Sequence, residues 1–238
     1  MPSGQIETLS EIETAWHKAE RESDKRALWR ALAQGGWLRA CRDAVRKDDR
    51  ATLEAWLTTD DIAKQAILQF HGAAAAQMVH THLLCGLAAC QARELAPRER
   101  LKALPEVTSP AASLGFCHDL MRELLGEPPR QAERDLSLTV LLVDTVRNEG
   151  VVATLTLELI PDGSRELYPV PALAFLRDVD FRRAEANARG CLAETGLWQK
   201  GWDVRWQLQR RDGKPLFNLT GPSLGAAFAL GIGKLCAQ

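Results

Sequence analysis

Apolar residues recur at three- and four-residue intervals through the first half of the chain. Ile6, Leu9, Ile12 and Trp16 form one such stripe, the spacing of a helix with a single buried face. Ala27 to Ala33 continues the rhythm, Gly35-Gly36 interrupts it, and Trp37 to Val45 resumes it until the charged run Arg46-Lys47-Asp48-Asp49-Arg50. Thr52 to Leu57 predicts another short helix. Asp60 or Asp61 is suited to cap a long one reaching about Leu95, and the small side chains of Ala73 to Ala76 at its centre suit a tight helix crossing. Pro97 and Pro105 punctuate the next stretch, and Ser113 to Leu125 predicts a last helix before Gly126-Glu127-Pro128-Pro129. Trp16, Trp29, Trp37 and Trp56 fall on these helices and read as packing residues rather than a ligand cage.

Beyond Pro129 the period changes. Leu138 to Val146 and Val151 to Ile160 are rich in β-branched residues and partly alternate, with Arg147-Asn148-Glu149-Gly150 as a turn between them. Pro161-Asp162-Gly163-Ser164 is a second turn, and Glu166 to Val170 a short return strand. Asp180 to Glu194 is helical, with Phe181, Ala184, Ala188 and Leu192 on one face, and Gly196 stands just past its end as a helix stop. Asp203 to Gln209 alternates Val204, Trp206 and Leu208 against Asp203, Arg205, Gln207 and Gln209, which predicts a strand with one wet face. The expected architecture is α+β: an all-helical domain over residues 1–129 followed by an α+β domain over residues 133–238.

Composition narrows the function classes only a little. The 238 residues carry a net charge of −1, which argues against a generally basic nucleic-acid surface. Met1 to Ser10 is polar and lacks the pattern of a secretory leader, and Leu219 to Gly233 is too short and too interrupted by Gly and Pro to span a membrane. The expectation is a cytoplasmic protein without nucleic-acid or membrane partners. Its six cysteines (Cys41, Cys85, Cys90, Cys117, Cys191 and Cys236) contain no C-x-x-C pair and read as reduced, buried small hydrophobes. His71, His80, His82, Cys85 and Cys90 crowd one stretch, but on a helix only His82 and Cys85 of the close group share a face. Since a metal site needs three or four converging ligands, no metal and no other cofactor is expected.

The stretch Asn218-Leu219-Thr220-Gly221-Pro222-Ser223-Leu224-Gly225 carries the candidate chemistry. Pro222 suits the first position of a helix, and Gly225, Ala229 and Gly233 at four-residue spacing leave one helix face nearly bare. Ser223 would then stand at a helix N-terminus, where backbone N–H groups and the helix dipole favour developing negative charge. The residues alone allow two roles, a capping hydroxyl or a nucleophile.

The order of elements from Leu138 to Cys236, taken with Gly221-Pro222-Ser223-Leu224-Gly225, resembles the proteolytic domain of Lon-type proteases. That resemblance implies the ribosomal protein S5 domain 2-like α+β fold. It matches Leu138 to Val143 with the opening strand, Phe181 to Glu194 with the first helix, Val204 to Leu208 with the strand before the motif, and Ser223 with the nucleophile. Thr220 stands where the family usually has an acidic residue. The family's serine is activated by a lysine from an element well downstream, and the present sequence ends at Gln238, as if the domain were incomplete at its C-terminus. Lys234 lies eleven residues past Ser223, about 16 Å along a helix, too far to serve, and Lys214 in the preceding loop is a poor substitute.

A serine without a base is weakly nucleophilic. The expected function is therefore a non-catalytic Lon-like interaction or sensing module of a bacterial type, a pseudoenzyme working with an ATPase or signalling partner outside this chain. The alternative is a Lon-like serine peptidase whose base-supplying lysine lies in sequence beyond Gln238, and a third reading is an unrelated α+β domain in which Gly-Pro-Ser is only a cap. Gly231-Ile232-Gly233-Lys234-Leu235 does not have the spacing of a phosphate-binding loop. Leu224, Phe228, Leu230, Ile232 and Leu235 surround most of the terminal helix. Such a helix needs cover on more than one side, from self-association, from the helical domain or from further sequence. Expected partners are accordingly another protein or further domains of a larger one, with a homo-oligomer as one possibility.

Overall fold

The computed structural model describes residues 6–58, 60–70, 72–95, 97–100, 112–144, 149–216, 219 and 224–237. The chain divides into two compact units, Met1–Pro129 and Arg130–Gln238. The architecture is α+β: helices alone in the described part of the first unit, one four-stranded mixed sheet with helices in the second.

The first unit holds α1 (Leu9–Lys18), α2 (Glu22–Ala31), α3 (Trp37–Lys47), α4 (Arg50–Thr58), α5 (Ile62–Gln69), α6 (Ala73–Ala92), α7 (Pro97–Arg100) and α8 (Leu114–Leu124). Several starts have a local cause. Thr8 and Glu11 form a reciprocal capping box on α1, Asp61 accepts from the amides of Ala63 and Lys64 on α5, and Ser113 accepts from Phe116 N on α8. Gly35, at φ 100°, bends the chain between α2 and α3. The single helix expected from Asp60 or Asp61 to Leu95 is instead two, because Gly72 adopts φ 89°, a conformation that side-chain-bearing residues rarely take. Helix α6 is the core of this unit. It packs against α3, α4, α5 and α8, and the fully buried Trp37 and Trp56 meet edge to face nearby. By length and composition it is the one described helix apolar enough to cross a membrane, yet more than half of its apolar window is buried inside the protein.

The second unit runs β1 (Arg134–Asp144), β2 (Glu149–Gly163), β3 (Leu167–Pro169), α9 (Val179–Glu194), β4 (Gly201–Arg210) and α10 (Gly225–Ala237). The strand order is β1-β2-β4-β3, with β1–β2 and β2–β4 antiparallel and β3–β4 parallel. Val151, Ala153, Leu155, Leu157 and Leu159 of β2 and Val204, Trp206 and Leu208 of β4 are buried, the two-residue period of a sheet face. Helix α9 buries Phe181, Ala184, Ala188 and Leu192 and ends before Gly196 at φ 70°. Helix α10 packs on α9, β1 and β2. Gly225 lies against Ala184, and a Cβ on Gly231 would stand 2.5 Å from Leu157 Cδ1 and 2.7 Å from Leu138 Cδ1, so glycine lets the helix sit close on the sheet. The expected need for outside cover is thereby met inside the unit: Leu224, Phe228, Ile232 and Leu235 are buried, and Leu230 is the exposed one, at 75 %.

Candidate functional site

Ser223 lies outside the described residues, together with Thr220, Gly221 and Pro222; the residues flanking them are described. On the upstream side, Leu219 N donates to Leu176 O at 2.7 Å, and Asp178 N donates to Leu219 O at 3.0 Å. Leu219 therefore pairs in parallel with Arg177. On the downstream side Leu224 is buried and its carbonyl accepts from Phe228 N at 2.9 Å, opening α10. The described neighbours of the Gly-Pro-Ser segment are thus Leu219, paired with Arg177, and Leu224, just ahead of α10.

A buried ion pair starts from the same stretch. Arg177 Nη1 donates to Glu185 Oε2 at 2.8 Å, with both side chains under a tenth exposed. The other carboxylate oxygen accepts from Trp206 Nε1 at 2.7 Å. The Trp206 ring packs on Phe181 and Phe228, each with centroids 5.5 Å away. Burial pushes the Glu185 carboxyl up from its ordinary range, opposed by the charge and hydrogen bonds of Arg177 and Trp206. Both carboxylate oxygens are engaged, and a guanidinium keeps its proton in a protein.

Neither Arg177 nor Glu185 was expected from the sequence. The apolar face read on α9 was Phe181, Ala184, Ala188 and Leu192, and Glu185 sits on that face one turn after Phe181. An acidic residue at such a position beside a strand bearing Trp206 is the signal that could have marked it.

On the opposite face of the sheet the expected wet side of β4 holds at Gln207 and Gln209, which are exposed, and is corrected at Asp203 and Arg205. Asp203 and Arg205 are buried. Asp203 Oδ1 accepts from Ser164 N and Glu166 N at 2.8 and 3.0 Å, and Arg130 approaches Asp203 at 3.6 Å while also bonding Tyr168. Arg205 Nε donates to Glu158 Oε2 at 2.7 Å, and Arg205 Nη2 donates to the Arg130 carbonyl at 3.0 Å. Glu158 of the neighbouring β2, the chain around Arg130 and the turn before β3 supply these partners, so charge is buried here because it is paired.

The lysines of the second unit are Lys200, Lys214 and Lys234, and all are exposed; Lys214 Nζ lies 3.7 Å from Asp212. In the first unit His71 is outside the described residues, and the rest of the His/Cys stretch is spread along α6. His82 is fully buried with Nδ1–H donating to Met78 O at 2.8 Å, and burial lowers its pKa to about 4. Cys85 faces Cys117, with Sγ 3.9 Å from the Cys117 carbonyl. Among the described residues no group of three His, Cys, Asp or Glu side chains is arranged to hold a metal ion. Cys41, Cys85, Cys90 and Cys117 are buried as expected, whereas Cys236 is half-buried and Cys191 is exposed on the solvent side of α9. No protein family, curated protein or solved structure matches the chain.

Proposed function

We propose that the second unit is a non-catalytic, Lon-like interaction or sensing module that works with an ATPase or signalling partner supplied outside these residues. The order strand, strand, strand, helix, strand, helix supports the Lon-like reading, as does the passage from β4 through Gly221-Pro222-Ser223 into a helix of small residues. The observation that carries the non-catalytic part is the exposure of all three lysines of the unit, Lys200, Lys214 and Lys234. A lysine acts as a base toward serine only when its amine is held neutral, and burial is the usual means. The basic group that is buried beside the segment leading to Ser223 is Arg177, already bound to Glu185.

Treating the full chain with a fluorophosphonate probe tests this directly. We expect no stoichiometric labelling and no peptide hydrolysis, with Ser223→Ala indistinguishable from the parent. Labelling that disappears in Ser223→Ala would overturn the reading in favour of a serine peptidase with a base from another source.

A further inference from the structure

Strand β1 forms one edge of the sheet and runs in unbroken register with β2 from Arg134↔Leu159 to Asp144↔Glu149. Proteins usually blunt a long edge with proline, a bulge, lysine or shortness, because its free amides and carbonyls template another strand. None of these devices is present in β1: Leu136 to Val143 is an uncharged run, Leu141 and Val143 are 76 % and 69 % exposed, and the core-facing Leu136, Leu138 and Leu142 are only half-buried.

The strand is also self-complementary. Paired antiparallel with a second copy of itself over its full length, it is centred on Thr139. That register sets Arg134 opposite Asp144 at both ends, Leu136 opposite Leu142 and Leu138 opposite Val140. Equal parity keeps the apolar core side of both copies on one face, so the half-buried leucines become cross-strand neighbours. We propose that β1 is a homodimerisation edge, joining two chains into a continuous eight-stranded sheet about a two-fold axis at Thr139. This inference does not depend on the Lon-like reading.

Sedimentation equilibrium of the full chain should then show a dimer. Arg134→Glu, which opposes two like charges at each end, should weaken it roughly tenfold, and Arg134→Asp combined with Asp144→Arg should restore it. The register is read by cysteine trapping in a Cys191→Ser background. Thr139→Cys meets its own copy and should form an intermolecular disulfide on mild oxidation. Ser137→Cys faces Leu141 and stands four residues, about 13 Å, from its copy, beyond disulfide reach. Both positions are exposed on the outer face, so neither substitution disturbs the core. A chain that stays monomeric overturns the proposal. So does a dimer indifferent to the charge exchange, one that links 137 as readily as 139, or β1 occupied by a strand from a different protein.

Discussion

The two units bury polar groups by different means. In α6 the buried Thr81 and His82 each donate to the carbonyl four residues back, on Gln77 and Met78, so these two donors are met within the helix that carries them. In the sheet unit buried Arg210 also pairs locally, with Asp212 two residues on, but three other buried groups reach farther along the chain: Arg205 to Glu158 and to the Arg130 carbonyl, Asp203 to Ser164 and Glu166, Glu185 to Arg177 and Trp206. Local satisfaction makes a polar residue tolerable wherever the helix forms. Satisfaction at a distance makes it tolerable only once the whole unit is assembled, so its loss is felt by the whole unit.

The largest expected effect comes from breaking the distant kind. Glu185→Ala leaves the Arg177 guanidinium and the Trp206 N–H buried without their acceptor and should cost roughly 3–5 kcal/mol, while Arg177→Met with Glu185→Leu, which removes the charges together, should cost far less. Urea unfolding of the full chain separates the cases, and a single variant as mild as the double would show that the pair is not closed off from water.

The local kind is tested by acid. His82 is neutral in the folded state with its pKa lowered to about 4 by burial, whereas the unfolded chain protonates near pH 6.5. Below that point the unfolded state binds the extra proton, so the stability associated with a neutral His82 is complete above about pH 6.5 and drains away as pH falls toward 4, by roughly 3 kcal/mol. His82→Leu should lack this component. An equal loss in parent and variant between pH 7 and 4.5 would place the sensitivity on other groups.

The smallest effect belongs to a cap, where satisfaction is both local and exposed. Asp61→Ala removes the acceptor for two α5 amides and should cost about 1 kcal/mol, measured as a shift in urea midpoint.

The same contrast explains what the sequence disclosed. The cap at Asp60 or Asp61, the helix starting at Ser113, the stop at Gly196 and the inward residues of β4 are set by neighbours a few positions away, and each was legible. The break at Gly72 was not, because apolar residues continue through it and only the glycine marks the change of direction. Strand β1 starts at Arg134, four residues before its apolar alternation becomes recognisable, because pairing with β2 extends it through polar positions. The burial of Asp203 and Arg205 was illegible, since alternation assigns a side chain to a face and says nothing about what later covers that face. At the candidate site, the residues around Ser223 were visible as a motif, but Arg177 and Glu185 depend on the Leu219 ladder and on the approach of α9 to β4, neither of which has a local signature.

The order β1-β2-β4-β3 also bears on how the sheet comes together in time. β1 and β2 are joined by residues 145–148 and can close as a hairpin, a local event. The second ladder of β2 must wait for β4, which begins at Gly201, after β3 and the whole of α9 have been laid down. Loop-closure entropy makes that late, non-local docking the slow step. Until it happens the hairpin carries two open edges rather than one, and the interval before β4 arrives is the period in which nascent chains are most exposed to pairing with the wrong strand.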